Sequence, residues 1–248
     1  MYTLYSLWFK EVEAENMLNN GWDLSGKIAL ITGSTHGIGK AIAEIFLRKG
    51  ASVFITARRK PPINELLLKW KKDGYSAYGI SCDMLQSDNR ERLVTDLNKI
   101  WGKLDILVNN VGPNFKKPFN EYTLPEYQSL IDGNITSAFH LTQLCYPLLK
   151  ESDQASIINI SGVSSTVAFK GSGPYGIAKA GLESFTRTLA VECGEHGIRS
   201  NAIIPGFIAT ETLLKKYDDA YLNKATNRIP LQRMGSSEDI ANLACFLA

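Results

Sequence analysis

The sequence predicts an α/β fold in which a parallel sheet is covered by helices on both faces, and two observations carry that expectation. From Lys27 onward, short β-branched runs alternate with longer amphipathic stretches, the order that a sheet with crossover helices requires. The runs are also apolar at nearly every position, as in strands buried on both sides. The first is Ile28 to Thr32, followed by a helix over Ile38 to Lys49 and a strand over Ser52 to Thr56, together a βαβ unit. Further strands are expected at Ser76 to Ser81, Leu104 to Val108, Ser156 to Ile160 and Ser200 to Ile204. Helices are expected around 62–73, 87–100, 124–150, 174–194, 208–224 and 236–247. Right-handed crossovers then align the strand carboxyl ends along one edge, where ligands of open α/β sheets bind.

Composition narrows the function. A chain of 248 residues, 44% hydrophobic and 21% charged, is expected to fold as one domain rather than remain disordered. With 27 Lys+Arg against 25 Asp+Glu, no global attraction draws it to nucleic acid or to an anionic membrane. No run approaches the roughly 18 to 20 apolar residues of a membrane span. Met1 to Phe9 lack the basic start and apolar run of a secretory signal, so export is not expected. The cysteines (82, 145, 193, 245) and histidines (36, 140, 196) are dispersed without metal-ligand spacing. Buried thiols in a reducing cytoplasm and no metal are the reading. Residues 1–26 read as an N-terminal extension in which Leu4, Trp8 and Val12 are spaced as one helical stripe, and 27–248 as the domain.

Between the first strand and first helix lies Gly33-Ser34-Thr35-His36-Gly37-Ile38-Gly39. Glycines there allow a sharp turn and close approach of a pyrophosphate, and the helix start offers free N–H groups and a positive dipole end. A dinucleotide is the expected ligand. A site preferring NAD places Asp or Glu at the end of the second strand to accept bonds from the adenosine ribose. This chain has Ala57-Arg58-Arg59-Lys60 instead. Guanidinium groups suit the 2′-phosphate of NADP(H), with His36 as a further donor.

Tyr175 and Lys179 stand four apart on one helical face. A nearby ammonium favours an ionised phenol, and such a tyrosine exchanges a proton with a carbonyl or alcohol. In company the landmarks are specific: TGSTHGIG at 32–39, Cys82-Asp83-Met84, Asn109-Asn110-Val111-Gly112, Asn134, YGIAK at 175–179 and Pro205 to Thr210. Across about residues 24–248 the chain resembles the short-chain dehydrogenase/reductase family, near its tropinone-reductase-like and 3-oxoacyl-carrier-protein-reductase-like members. The resemblance implies a single doubly wound Rossmann-type domain of three αβα layers, hydride transfer between NADP(H) and a small carbonyl or secondary alcohol, and a homo-oligomer, dimer or tetramer. It implies Tyr175 as general acid/base and Lys179 as the group that lowers its pKa and holds the nicotinamide ribose. It implies that Asn134 anchors a relay water and Asp83, with Met84 beside it, meets the adenine. It implies that Asn110, Val111 and Gly112 line the adenosine ribose side, and that Pro205, Gly206, Ile208 and Thr210 cradle the nicotinamide and pyrophosphate.

Two departures stand out. The family's catalytic serine, thirteen residues before the tyrosine, is here Gly162, with Ser161 and Ser164 beside it. In an extended backbone, period two puts Ser164 on the side of Gly162 and Ser161 opposite, although the two-residue offset moves a hydroxyl by roughly 6 to 7 Å. Ser164 is the favoured substitute. Losing the donor outright costs about 10² to 10³ in turnover, so an NADP(H)-binding protein with little turnover is the alternative. The family's last strand is also missing after Phe246-Leu247-Ala248, which is expected to expose a sheet edge. The segment from Phe207 to Pro230, with Leu213, Leu214, Tyr217, Tyr221 and Ile229, resembles the family's substrate lid. It fits an apolar or alicyclic ketone, while Lys215 and Lys216 could meet an acidic carrier.

Overall fold

Parallel pairing of apolar runs sets the architecture, described by a computed structural model for residues 22–248. The stripe of Leu4, Trp8 and Val12 lies outside the described residues. Strands β1 (Ile28–Ile31), β2 (Ser52–Ala57), β3 (Ala77–Ser81), β4 (Ile106–Asn109), β5 (Ser156–Ile160) and β6 (Arg199–Ile203) form one sheet in the order β3-β2-β1-β4-β5-β6. Every neighbouring pair is parallel. The helices are α1 (Gly37–Arg48), α2 (Lys60–Lys72), α3 (Ser87–Trp101), α4 (Leu124–Ile131), α5 (Ser137–Lys150), α6 (Gly173–Glu192), α7 (Glu211–Lys216), α8 (Asp219–Thr226) and α9 (Ser237–Leu247). The chain winds outward from β1 to β3, then crosses back to start β4 on the other side of β1. Crossovers therefore diverge between β1 and β4, and a crevice opens at their carboxyl ends.

The period of two along each strand separates two cores. Ala29, Ile31, Val53, Ile55, Ile106 and Val108 join Ile42 and Phe46 of α1, Trp70 of α2 and Ala244 of α9 on one face. Ile28, Leu30, Phe54 and Leu107 join Leu93 and Leu97 of α3, Leu141 and Leu149 of α5 and Leu189 of α6 on the other. Each such large side chain contributes about 1.5 to 3 kcal/mol by leaving water. The end of the expected N-terminal extension belongs to this packing: Leu24 is buried in the α1 core and donates its N–H to the Lys49 carbonyl at 2.8 Å.

Two expected helices are broken. In place of 124–150, α4 and α5 are separated by a π turn over Asp132–Thr136. The Asn134 side-chain amide donates to Leu130 O at 2.9 Å and Pro113 O at 2.9 Å, occupying the carbonyl four residues back that an α-ladder would use and widening the turn. In place of 208–224, α7 and α8 are two short helices, each with its own side-chain cap. Thr210 accepts from Leu213 N–H and Asp218 from Tyr221 N–H, and Tyr217 between them is extended. Ile208 instead makes a parallel bridge with Gly235. β6 ends the described sheet, and Arg199 donates to the Leu247 and Ala248 carbonyls at 2.8 and 2.7 Å, so the end of α9 borders that edge.

Asp105, just before β4 and 2% exposed, accepts from Ile28 N–H at 2.8 Å and the Ser152 hydroxyl at 2.6 Å, with the Lys103 ammonium at 3.4 Å. Removing the carboxylate leaves a buried N–H without its acceptor at the start of β1. Asp105→Ala is therefore expected to lower stability by about 2 to 4 kcal/mol in urea titration; an unchanged midpoint would show that the β1–β4 junction does not need it.

Candidate active site

The glycine turn folds as its composition requires. Gly33 and Gly37 take φ of 62° and 56°, the left-handed region that favours glycine. A Cβ on Gly39 would stand 2.5 Å from Gly33 O, so α1 packs against the turn without room for a side chain. The turn is held by side-chain bonds from Asn110, which was expected to line the adenosine ribose side, and from Thr32. Asn110 Nδ2 donates to Thr32 O at 2.9 Å and Gly33 O at 3.1 Å, while Thr32 Oγ1 accepts from Asn110 N–H at 2.9 Å. Beside it lies a cleft of about 480 Å³ lined by Gly33, His36, Gly37, Ile38, Arg58, Asp83, Met84, Asn110, Val111, Gly112 and Thr210. The start of α1, the end of β2 and the end of β3 thus meet around one crevice.

A second pocket of about 240 Å³ opens next to it, walled by Asn114, Lys116, Ser164, Phe169, Phe207 and Tyr217. Tyr175 stands at the junction. It lines this pocket and also a further pocket of about 220 Å³ that shares Ile38, Asn110, Gly112 and Thr210 with the cleft and forms its inner end, together with Lys179, Pro205, Gly206 and Ile208. Lys179 is 2% exposed, donates to Ile160 O at 2.8 Å, and places its ammonium 5.6 Å from the Tyr175 ring centre. Burial pushes the Tyr175 phenol up to about 12. Burial also draws Lys179 down to about 7, opposed in part by Glu183. The direction at Tyr175 is opposite to that expected from the sequence, because burial removes water from the phenol and disfavours its ionised form.

Asn134 is fully buried and its Oδ1 has no partner among the described residues. A Cβ on Gly112 would lie 2.6 Å from that oxygen and 2.9 Å from Lys179 Nζ, so both atoms converge on the backbone of Gly112. An acceptor and a donor aimed at one buried point fit the hydroxyl groups of a ribose or a water between them.

The comparisons agree with this geometry. Residues 33–248 match the family described as enoyl-(acyl carrier protein) reductase. A tropinone reductase homolog of Arabidopsis thaliana is 40% identical over 230 residues, covering 91% of this chain and 86% of the relative. A chloroplastic tropinone reductase homolog of the same plant is 38% identical over 228 residues, covering 91% and 71%. The structure of a 7 alpha-hydroxysteroid dehydrogenase complexed with NADH and 7-oxo glycochenodeoxycholic acid superposes with a TM-score of 0.88 at 32% identity, covering 92% of this chain and 89% of that one. The chain belongs to the short-chain dehydrogenase/reductase family. It is a tropinone-reductase-like member with the family's Rossmann-type fold, and the family's chemistry is hydride exchange between a nicotinamide cofactor and a carbonyl or alcohol.

Not every residue singled out in the sequence faces the crevice of this short-chain dehydrogenase/reductase. Ser34 is fully buried and its hydroxyl donates to Ile31 O at 2.7 Å, stitching the turn to β1 rather than meeting a ligand. Thr35, Gly39 and Arg59 line neither the cleft nor its inner end. Ser161 lines the inner end of the cleft, but its hydroxyl donates to Glu183 of α6 at 2.7 Å. The extended backbone assumed for Ser164 is absent, because Val163–Ser165 form a 3-10 turn that starts at Gly162. Ser164 nevertheless lines the second pocket with Gly162 and Tyr175. A Cβ on Gly162 would lie 2.9 Å from the Tyr175 hydroxyl, and Gly162 has φ of 178°, which any residue adopts.

Two supporting residues escaped the sequence reading. Thr32 braces the turn, and Arg90, 6% exposed, holds the Met84 carbonyl in the cleft wall while bonding His140 Nδ1 at 3.0 Å. No spacing signal marks Arg90, because its partners come from another loop and another helix.

The buried lysine makes stability pH-dependent. Lys179 binds its proton more weakly in the fold, at about 7, than at its ordinary value of 10.5, so unfolding takes up a proton between these values and stability rises with pH. Above pH 9 the raised Cys82 thiol, at about 11, opposes the rise. The urea midpoint is expected to increase from pH 7 to about 9 and to lose that increase in Lys179→Met; a slope kept by the variant would assign it to other groups.

Proposed function

We propose that this chain transfers hydride between NADP(H) and a ketone or secondary alcohol, with Tyr175 as the general acid/base. The observation that carries the reading is the position of Tyr175, shared by the inner end of the cleft and the second pocket. NADP(H) is supported by the end of β2, where Arg58 lines the same cleft as His36 and no carboxylate follows Ala57. Asp83 is at the end of β3 and its carboxylate accepts from Leu85 N–H at 3.1 Å. The dinucleotide, when bound, supplies or accepts the hydride. In reduction, the Tyr175 phenol, protonated at neutral pH, donates its proton to the carbonyl oxygen. Lys179 and the Asn134 Oδ1 would hold the ribose hydroxyls of the dinucleotide and an ordered water, and the Tyr175 phenolate regains its proton from solvent. Ser164 supplies the hydroxyl that Gly162 lacks.

Gly162 gives a second reading, a nucleotide-binding protein of low turnover, since nothing at that position donates to the carbonyl oxygen. We further propose a homodimer or homotetramer, for which exposed Phe139 on α5 and Ile177 and Val191 on α6 offer apolar surface, and a cytoplasmic location, consistent with four buried free cysteines.

The expected results separate the readings. NADPH should have a Michaelis constant at least about tenfold below that of NADH, and Arg58→Ala should erase the difference; equal constants in the parent chain would remove the NADP(H) assignment. Tyr175→Phe should lower kcat by about 10² or more, with NADPH affinity changed by less than about threefold. With Ser164 as the donor, Ser164→Ala should lower kcat by about 10² and Gly162→Ser should not raise it, whereas in the second reading Gly162→Ser should raise kcat by about 10 to 10². Turnover that appears only in Gly162→Ser supports the second reading, and turnover surviving Tyr175→Phe refutes Tyr175 as the acid.

A further inference from the structure

The second pocket is aromatic at its walls and cationic at its rim. Phe169 and Phe207 meet edge to face with centres 6.2 Å apart, and Tyr217 stacks on Tyr221 at 4.2 Å. Over that same Tyr217 ring stand two ammonium groups, Lys116 at 5.9 Å and Lys216 at 5.7 Å from its centre. Both lysines line the pocket, and among the described residues no Asp or Glu does. Among the described residues neither forms a salt bridge, whereas the adjacent Lys117 pairs with Glu126.

Lys116 is held in place by its backbone. Lys117 N–H donates to Gly171 O at 3.2 Å, and the Tyr122 hydroxyl lies 2.9 Å from both Phe115 O and Gly171 O. Lys216 ends α7, which the Thr210 cap starts at the cleft. Two elements far apart in sequence therefore bring like charges to one aromatic ring. Each ammonium is attracted to the ring but has no carboxylate partner among the described residues, so an anionic group in the pocket gains attraction from both. A cation entering the same rim adds a third like charge.

We infer that the substrate is an apolar ketone, or the matching alcohol, carrying one anionic group that Lys116 and Lys216 hold at the rim while its carbonyl reaches Tyr175. This rests on the oxidoreductase reading and adds the substrate class to it. It also predicts discrimination against cationic amines. Among the residues seen in the sequence, Lys216 takes part and Lys215 does not line the pocket.

The test uses three cyclohexanones substituted at C4 with tethers of equal length: a propanoate, its methyl ester and a propylammonium. Turnover with NADPH and equilibrium binding by calorimetry are both measured in low salt. The propanoate is expected to exceed the ester by about tenfold in kcat/KM and in affinity, with the ammonium below the ester. The preference should shrink in 0.5 M salt, where the Debye length falls to about 4 Å. In the Lys116→Gln/Lys216→Gln variant the propanoate-to-ester ratio should fall to about one. A ratio near one in the parent chain, or a preference that survives the double variant, overturns the inference. If binding shows the charge preference but no ketone turns over, even with Gly162→Ser, the oxidoreductase reading fails and the anion site stands.

Discussion

The side-chain bonds between Thr32 and Asn110 are the constraint on which the site depends. The β1–β4 ladder ends at the Ile31–Val108 pair, and one residue later the strands begin to feed crossovers on opposite sides of the sheet. Thr32 Oγ1 accepts from the backbone of Asn110 and Val111, and the Asn110 amide donates back to Thr32 and Gly33. These bonds carry the pairing past the ladder into the irregular chain. They fix the left-handed Gly33 against Val111, whose side chain a Cβ on Gly33 would meet at 3.0 Å. Unpaired backbone at a buried turn is costly, and here the satisfied groups also form the wall of the crevice.

From that clamp the chain runs directly into Gly112, and the reacting cluster is assembled around it. Asn134 comes from a π turn, Lys179 from the first half of α6 and Ile160 from the end of β5. None of these is comfortable by itself. A widened helical turn, an amide oxygen without a protein partner and a lysine with one carbonyl partner each oppose stability. They persist because both cores, packed on either face of the sheet, hold the elements that carry them. The lowered proton affinity of Lys179 follows from the same burial.

Much of the fold was legible because its signals are local. Near-continuous apolar runs marked β1, β2, β4 and β5, the alternation with helices placed the more polar β3 and β6, and glycine spacing marked the turn after β1. Errors came where side chains compete with backbone. Asn134 takes the Leu130 carbonyl and breaks the long helix, and the caps at Thr210 and Asp218 divide the next. A periodic apolar pattern continues through both breaks, so periodicity alone joins what hydrogen bonding separates. The residues flanking Gly162 failed for a related reason: alternation assumes extension, and the chain turns at Val163.

The order of strands and helices, the glycine turn, the basic end of β2 and the four-residue step from Tyr175 to Lys179 are readable along the chain, because each depends on near neighbours. Tertiary structure decided which of those groups meet. It turned Ser34 and Ser161 into the scaffold, set Tyr175 between two cavities, and reversed the expected effect on its phenol by excluding water. It also brought Lys116 and Lys216 to one ring from segments about a hundred residues apart. Desolvation and convergence depend on what packs around a group, and that information appears only when distant segments share a surface.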